Sequence, residues 1–129
     1  MDEFVFTTEH QQLRAAVHRF CLDNFDEATV RRLLESSRRF DPAVWTRLGV
    51  ELGVLGMSVP EDDGGAGGTL VDQAIAVEEL GASLACGPLF GTVYLAIPAL
   101  VAAPRGAARD ALLADLVEGR RTAAFSAGE

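Results

Sequence analysis

Val59-Pro60-Glu61-Asp62-Asp63-Gly64-Gly65-Ala66-Gly67-Gly68, with Glu78-Glu79-Leu80-Gly81 close behind, is the stretch on which the reading of this chain turns. Its first part is not helix. A residue before proline avoids the helical region, so Met57-Ser58-Val59 is extended, and the acid-glycine cluster is a loop. Its second part ends a helix. Thr69 caps that helix with Asp72 three residues on, and Leu70, Ala74, Val77 and Leu80 form its predicted apolar side before Gly81. The loop has no phosphate chemistry. No Lys-Ser/Thr pair follows it, Leu70 stands where a dinucleotide fingerprint needs its third glycine, and three acids precede it where an anion would sit. It reads as a connector that needs positive φ at several positions. Glu61, Asp62 and Asp63 lack calcium-loop spacing and read as an exposed acidic turn.

Helical period dominates on both sides of this loop. Upstream, Thr8 and Gln11 resemble a capping box, with Thr7 a competing cap. Leu13, Val17, Phe20 and Cys21 then predict a first helix from about Thr8 to Asn24. A second runs from about Asp26 to Ser37, with Val30, Leu33 and Leu34 as its apolar side. Asp41-Pro42 opens a third, in which Trp45, Leu48 and Leu52 share a face and Gly53 and Gly56 punctuate the end. Downstream, Pro88 to about Ala102 is the most apolar helix, and Pro104 breaks it. Arg105 to Glu118 is amphipathic through Ala108, Leu112, Leu113 and Leu116, and Gly119 ends it. Thr122 to Ala127 reads as the start of a strand, which cannot satisfy its backbone groups alone. The predicted fold class is all-α: an up-and-down bundle of five to six helices, with the start of a β-strand at the C-terminus.

Composition narrows the function. The chain has 129 residues, is 49% hydrophobic and 23% charged, and carries a net charge of −8. That is room for one domain with a real core. The acidic balance argues against a nucleic-acid surface. All 11 basic residues are arginine, which excludes a P-loop lysine and a Schiff-base lysine. Two cysteines make no disulfide framework. The N-terminus has acids where a secretory leader has bases. No charged side chain lies between Glu79 and Arg105, a length that would span a bilayer. Gly87, Pro88, Gly91 and Pro98 interrupt it and flanking cations are lacking, so it reads as a buried helix of a soluble, cytoplasmic protein.

The remaining candidates for chemistry are thin. Glu78 and Glu79 are adjacent on a helix and point to different sides. They read as a solvated carboxylate beside a partly buried, arginine-paired one. His10 and His18 lack a third ligand, so no metal site is expected. Cys21 reads as a core thiol, Cys86 as a loop residue with no histidine near in sequence. No Gly-x-Ser-x-Gly elbow exists. The residues alone give no self-contained active site, and no catalytic residue is assigned.

The order Thr8-Glu9-His10-Gln11-Gln12-Leu13-Arg14, Trp45-x-x-Leu48, Gly53-Val54-Leu55-Gly56, Pro60-Glu61-x-x-Gly64-Gly65-x-Gly67 and Glu78-Glu79-Leu80-Gly81 resembles the N-terminal all-helical domain of the acyl-CoA dehydrogenase family. Leu113-Ala114-Asp115-Leu116-Val117-Glu118-Gly119 resembles that domain's last helix. The resemblance implies residues 1–121 as the helical domain and 122–129 as the start of a middle β domain. It implies an FAD enzyme that oxidises acyl-CoA thioesters to enoyl-CoA, with the catalytic glutamate in a domain this chain lacks, so the chain alone is expected to be inactive. It further implies an acyl-pocket wall at Pro88, Leu89, Thr92, Val93 and Ala96, and flavin contacts at Phe125, Ala127 and Gly128. Gly128 falls where the family usually has a threonine hydroxyl, which removes one donor. The implied partners are an acyl-CoA substrate and the remaining domains or a partner subunit, in a homo- or hetero-oligomer. A short non-catalytic subunit of a heteromer is the alternative reading. The same domain also resembles that of acyl-CoA oxidases and related flavin monooxygenases.

Overall fold

The computed structural model describes residues 5–128. The acidic N-terminus at 1–4 and the last residue of the tail, 129, lie outside the described residues. Helix α1 spans Thr8–Asn24. Its cap is Thr7, not Thr8: the Thr7 hydroxyl accepts from the His10 N–H at 3.1 Å, and the Thr7 N–H donates to His10 Nδ1 at 3.1 Å. Imidazole thus does what glutamine was expected to do one residue later. Helix α2 spans Glu27–Glu35 and buries Val30 and Leu33. Leu34, expected on its apolar side, is exposed. Helix α3 spans Pro42–Val50, with Asp41 Oδ1 accepting from the Ala43 N–H at 2.9 Å. It buries Trp45 and Leu48.

The connector holds two single 3₁₀ turns, Val54–Gly56 and Glu61–Asp63. Gly64 and Gly67 take the positive φ expected of the loop, 87° and 67°. Gly65 is there for another reason: a Cβ on it would run into the Val59 backbone carbonyl. Each N–H from Gly64 to Gly68 donates to a carbonyl between Gly56 and Glu61. The loop is therefore folded back on the turn that leads into it, and none of these N–H groups is left for a phosphate.

Helix α4 spans Leu70–Ala82, capped by Thr69 with Asp72 reaching back. The apolar segment Leu89–Ala96 is wound as a π-helix and runs directly into helix α5, Ile97–Ala102. The Ile97 N–H bonds to the Thr92 carbonyl five residues back. Pro98 explains the widening, because it has no N–H to give and its ring would press on the Tyr94 carbonyl of a standard turn. Helix α6 spans Ala107–Val117, and Gly119 follows with φ 72°.

One core joins all of this. Val17, Phe20 and Cys21 of α1 meet Trp45 and Leu48 of α3, Ala76 and Leu80 of α4, Val93 and Ile97, and Leu113 and Leu116 of α6. Trp45 packs edge-on to Phe40 and lies against Gly87, where a Cβ would come within 2.6 Å of its ring. The architecture is the all-helical one expected. The strand is a departure. Among the described residues there is no β-strand, and 120–128 have no regular structure. Among the described residues Thr122 to Ala127 has no strand to ladder with, and it takes no regular structure.

Candidate functional site

The outer face of α4 departs from its expected orientation. The helix is apolar on nearly every side, and packing against α1 selects Ile75, Ala76 and Leu80 for the core. Leu70, Ala74 and Val77 point outward instead, with Leu70 77% exposed. Opposite them stand Tyr94 and Pro98. Together with Gln73 and Glu78 they line an open apolar trough of about 510 Å³. Exposed apolar ground of this kind marks a surface that meets something.

The five residues expected to wall an acyl pocket lie on the same segment as Tyr94 and Pro98, which form one wall of this trough, and they divide. Thr92, Val93 and Ala96 are buried inside the chain. Pro88 and Leu89 are half-buried, and Phe90 between them and Gly91 is 71% exposed. Thr92 also holds the tail. Its hydroxyl donates to the Ala123 carbonyl at 2.8 Å and accepts from the Ala123 N–H at 3.0 Å. The expected flavin-side segment is thereby brought onto the expected pocket helix. Phe125 is 48% exposed, and Ala127 and Gly128 are exposed. Among the described residues the backbone of 124–128 makes no hydrogen bond. Gly128 offers its backbone alone.

Three charged clusters stand out, and of these the sequence reading anticipated only a partly buried, arginine-paired carboxylate at the Glu78-Glu79 pair. Glu79 has a side chain 14% exposed, which receives Arg14 Nη1 at 3.1 Å and faces His18 Nδ1 at 3.0 Å. Burial alone would push its carboxyl up, and the hydrogen bonds from His18 and Arg14 outweigh that and hold it below the usual range. Glu78 is exposed and, among the described residues, pairs only with Arg14, so the two neighbours differ as their spacing implied. Asp63 is the correction to the acidic turn. Its side chain is 5% exposed and pairs with Arg109 at 2.7 Å and Arg105 at 3.1 Å. Arg109 also donates to the carbonyls of Leu100 and Val101, so it joins the glycine loop to the end of α5. Its hydrogen bond holds the Asp63 carboxyl below the usual range. Lastly, His10 Nε2 lies 3.4 Å from Asp72 Oδ1. Since His10 Nδ1 accepts from Thr7, the ring proton sits on Nε2 and faces Asp72. The two capping boxes are thus tied to each other.

None of these is an acid–base engine. The two carboxylates with little exposure, Glu79 and Asp63, are locked to arginines, and burial pushes the Cys21 and Cys86 thiols up, away from the reactive thiolate. Among the described residues no group of three side chains suits a metal ion, and no helix is long and apolar enough to cross a membrane.

The family described as Acyl-CoA dehydrogenase, N-terminal domain, matches residues 7–120. "Acyl-CoA dehydrogenase IpdE2" of Mycobacterium tuberculosis is 39% identical over 95 residues, which is 74% of this chain and 30% of that protein. The solved ChsE4-ChsE5 complex from Mycobacterium tuberculosis superposes with a TM-score of 0.80 at 27% identity, covering 94% of this chain and 33% of that one. The structure named "Tcur3481-Tcur3483 steroid ACAD G363A variant" gives 0.76 at 30% identity, covering 88% and 31%. The chain spans about 30% of the length of the relatives it matches. With the motifs, the helical architecture and the match over residues 7–120 in agreement, the chain belongs to the acyl-CoA dehydrogenase family, as its N-terminal helical domain.

Proposed function

We propose that this chain is the N-terminal helical part of an FAD-dependent enzyme that dehydrogenates acyl-CoA thioesters in the cytoplasm, and that it works only with the rest of that enzyme. The observation that carries this is the family match over 7–120 in a chain about 30% as long as its relatives. Residues 1–121 are the helical domain and 122–129 the entry to a β domain. Bound FAD supplies the two-electron acceptor. This chain's residues supply walls. Pro88 and Leu89 present apolar surface to the acyl group, and Thr92, Val93 and Ala96 set its position from behind. Each methylene so covered contributes about 0.8 kcal/mol. Phe125, Ala127 and Gly128 meet the flavin through an aromatic face and backbone groups. The proton-abstracting base belongs to the remaining part, since the carboxylates buried here are held by arginines.

A second reading makes the chain a short non-catalytic subunit of a heteromer. The two-protein names of both solved neighbours favour it, and the steroid named for one of them suggests a ring-bearing acyl group. The test is spectroscopic. The complete enzyme, isolated with the polypeptide that supplies the remaining domains, is titrated anaerobically with straight-chain and ring-bearing acyl-CoA thioesters while the flavin absorbance is followed. Bleaching is expected, and none for the 129-residue chain mixed with FAD. An assembly without flavin, or turnover by the chain alone, overturns the reading.

A further inference from the structure

The geometry points to Thr92 as a positioning residue: its hydroxyl fixes where the flavin-side segment crosses the helix behind the acyl-pocket wall. This rests on the flavin-enzyme reading above. Thr92 carries the one fully buried hydroxyl among the described residues. A hydroxyl removed from water is unfavourable unless it is bonded. Thr92 meets that need through a single residue 31 positions away, donating to the Ala123 carbonyl and accepting from the Ala123 N–H. Exchanging both bonds with one residue is what a strand partner does in an antiparallel pair. Here a side chain does it, where no strand is present.

The surroundings single out this contact. A helical threonine usually bonds a carbonyl of its own preceding turn. In this structure the Thr92 N–H takes the Pro88 carbonyl at 3.0 Å, its carbonyl takes the Ile97 N–H, and the hydroxyl is free to reach outside the helix. The tail passes close to Gly91 as well, where a Cβ would stand 3.4 Å from the Ala123 oxygen, an ordinary van der Waals contact. From Thr122 to Gly128 the backbone makes no other hydrogen bond among the described residues. Phe125 follows two residues after the clasp, so covalent geometry keeps it within about 7 Å of Ala123. With Gly128 in place of a hydroxyl-bearing residue, flavin contact there depends on where the backbone lies, and Thr92 is the anchor that places it.

Thr92→Val keeps the shape and removes the hydroxyl; Thr92→Ser keeps the hydroxyl and removes a methyl. Amide hydrogen exchange in the 129-residue chain reads the clasp. Flavin affinity, from the visible spectrum of the complete enzyme, reads its consequence. Thr92→Val is expected to speed exchange at Ala123 about tenfold and to weaken FAD binding about tenfold, whereas Thr92→Ser stays within about twofold of wild type on both. Unchanged Ala123 exchange in Thr92→Val overturns the clasp. Faster exchange with unchanged FAD affinity overturns its role toward the flavin. Equal loss in both variants overturns it too, because packing then explains the effect. A wild-type assembly that binds no FAD overturns the flavin-enzyme reading itself, while exchange at Ala123 still judges the clasp.

Discussion

Gly65 and Gly81 both belong to the motifs that identify the domain, yet they obey different physics. Gly65 lies against the backbone of Val59, and a Cβ there meets a carbonyl that cannot step aside. Gly81 sits inside α4 with open space around it. Gly65→Ala is therefore expected to destabilise by about 1–3 kcal/mol, the range for overpacking. Gly81→Ala is expected to stabilise by about 0.5–1 kcal/mol through helix propensity. Urea midpoints of the two variants check this, and the same sign for both would refute the distinction. The sequence flagged both glycines equally. Only the close approach of Val59, set by the fold-back of the loop, separates them. The Asp63–Arg109 pair was hidden for a related reason: its two residues lie 46 positions apart, and local spacing contains nothing that joins them.

At the scale of elements, helix ends were more legible than helix faces. Thr69 and Asp41 cap where their sequence context predicts, and Thr7 displaces Thr8 by one residue because His10 closes the box. Capping is local chemistry, so a few residues decide it. Faces are decided by partners. On α4 the expected stripe Leu70, Ala74, Val77, Leu80 kept only Leu80 in the core, and contact with α1 turned Ile75 and Ala76 inward in place of the other three. The wide winding of Leu89–Ala96 was equally out of reach of apolar content alone, although Pro98 was its visible signal. The caps give a graded expectation. Thr7→Ala and Thr69→Ala each cost about 1 kcal/mol. Asp26→Ala stays within about 0.5 kcal/mol, because Asp26 makes no side-chain cap hydrogen bond. Thermal melts of the three variants test the order, and a loss for Asp26→Ala equal to the other two would contradict it.

At the scale of the whole molecule, two carboxylates join segments far apart in the chain, and both are held ionised. Glu79 joins α4 to α1 through Arg14 and His18, and Asp63 joins the glycine loop to the α5–α6 corner through Arg109 and Arg105. Each carboxyl titrates below its ordinary range in the folded chain, Asp63 because Arg109 hydrogen-bonds it, Glu79 because His18 and Arg14 outweigh its burial. The unfolded chain therefore binds the proton more readily than the folded one as pH falls through the ordinary carboxylate range near about 4. The stabilisation is complete above that range and is lost as pH drops through the lower folded values. Asp63→Asn and Glu79→Gln remove the charge while keeping the size. Both variants are expected to be less stable than wild type at pH 7, with the gap narrowing steadily below about pH 4 as the wild-type carboxyls protonate. Urea unfolding across pH 7 to 3 measures that gap. A constant gap at every pH would mean that the two side chains act through shape alone. Closure of the gap would tie the domain's acid sensitivity to the two links that hold its loop and its helices in one piece.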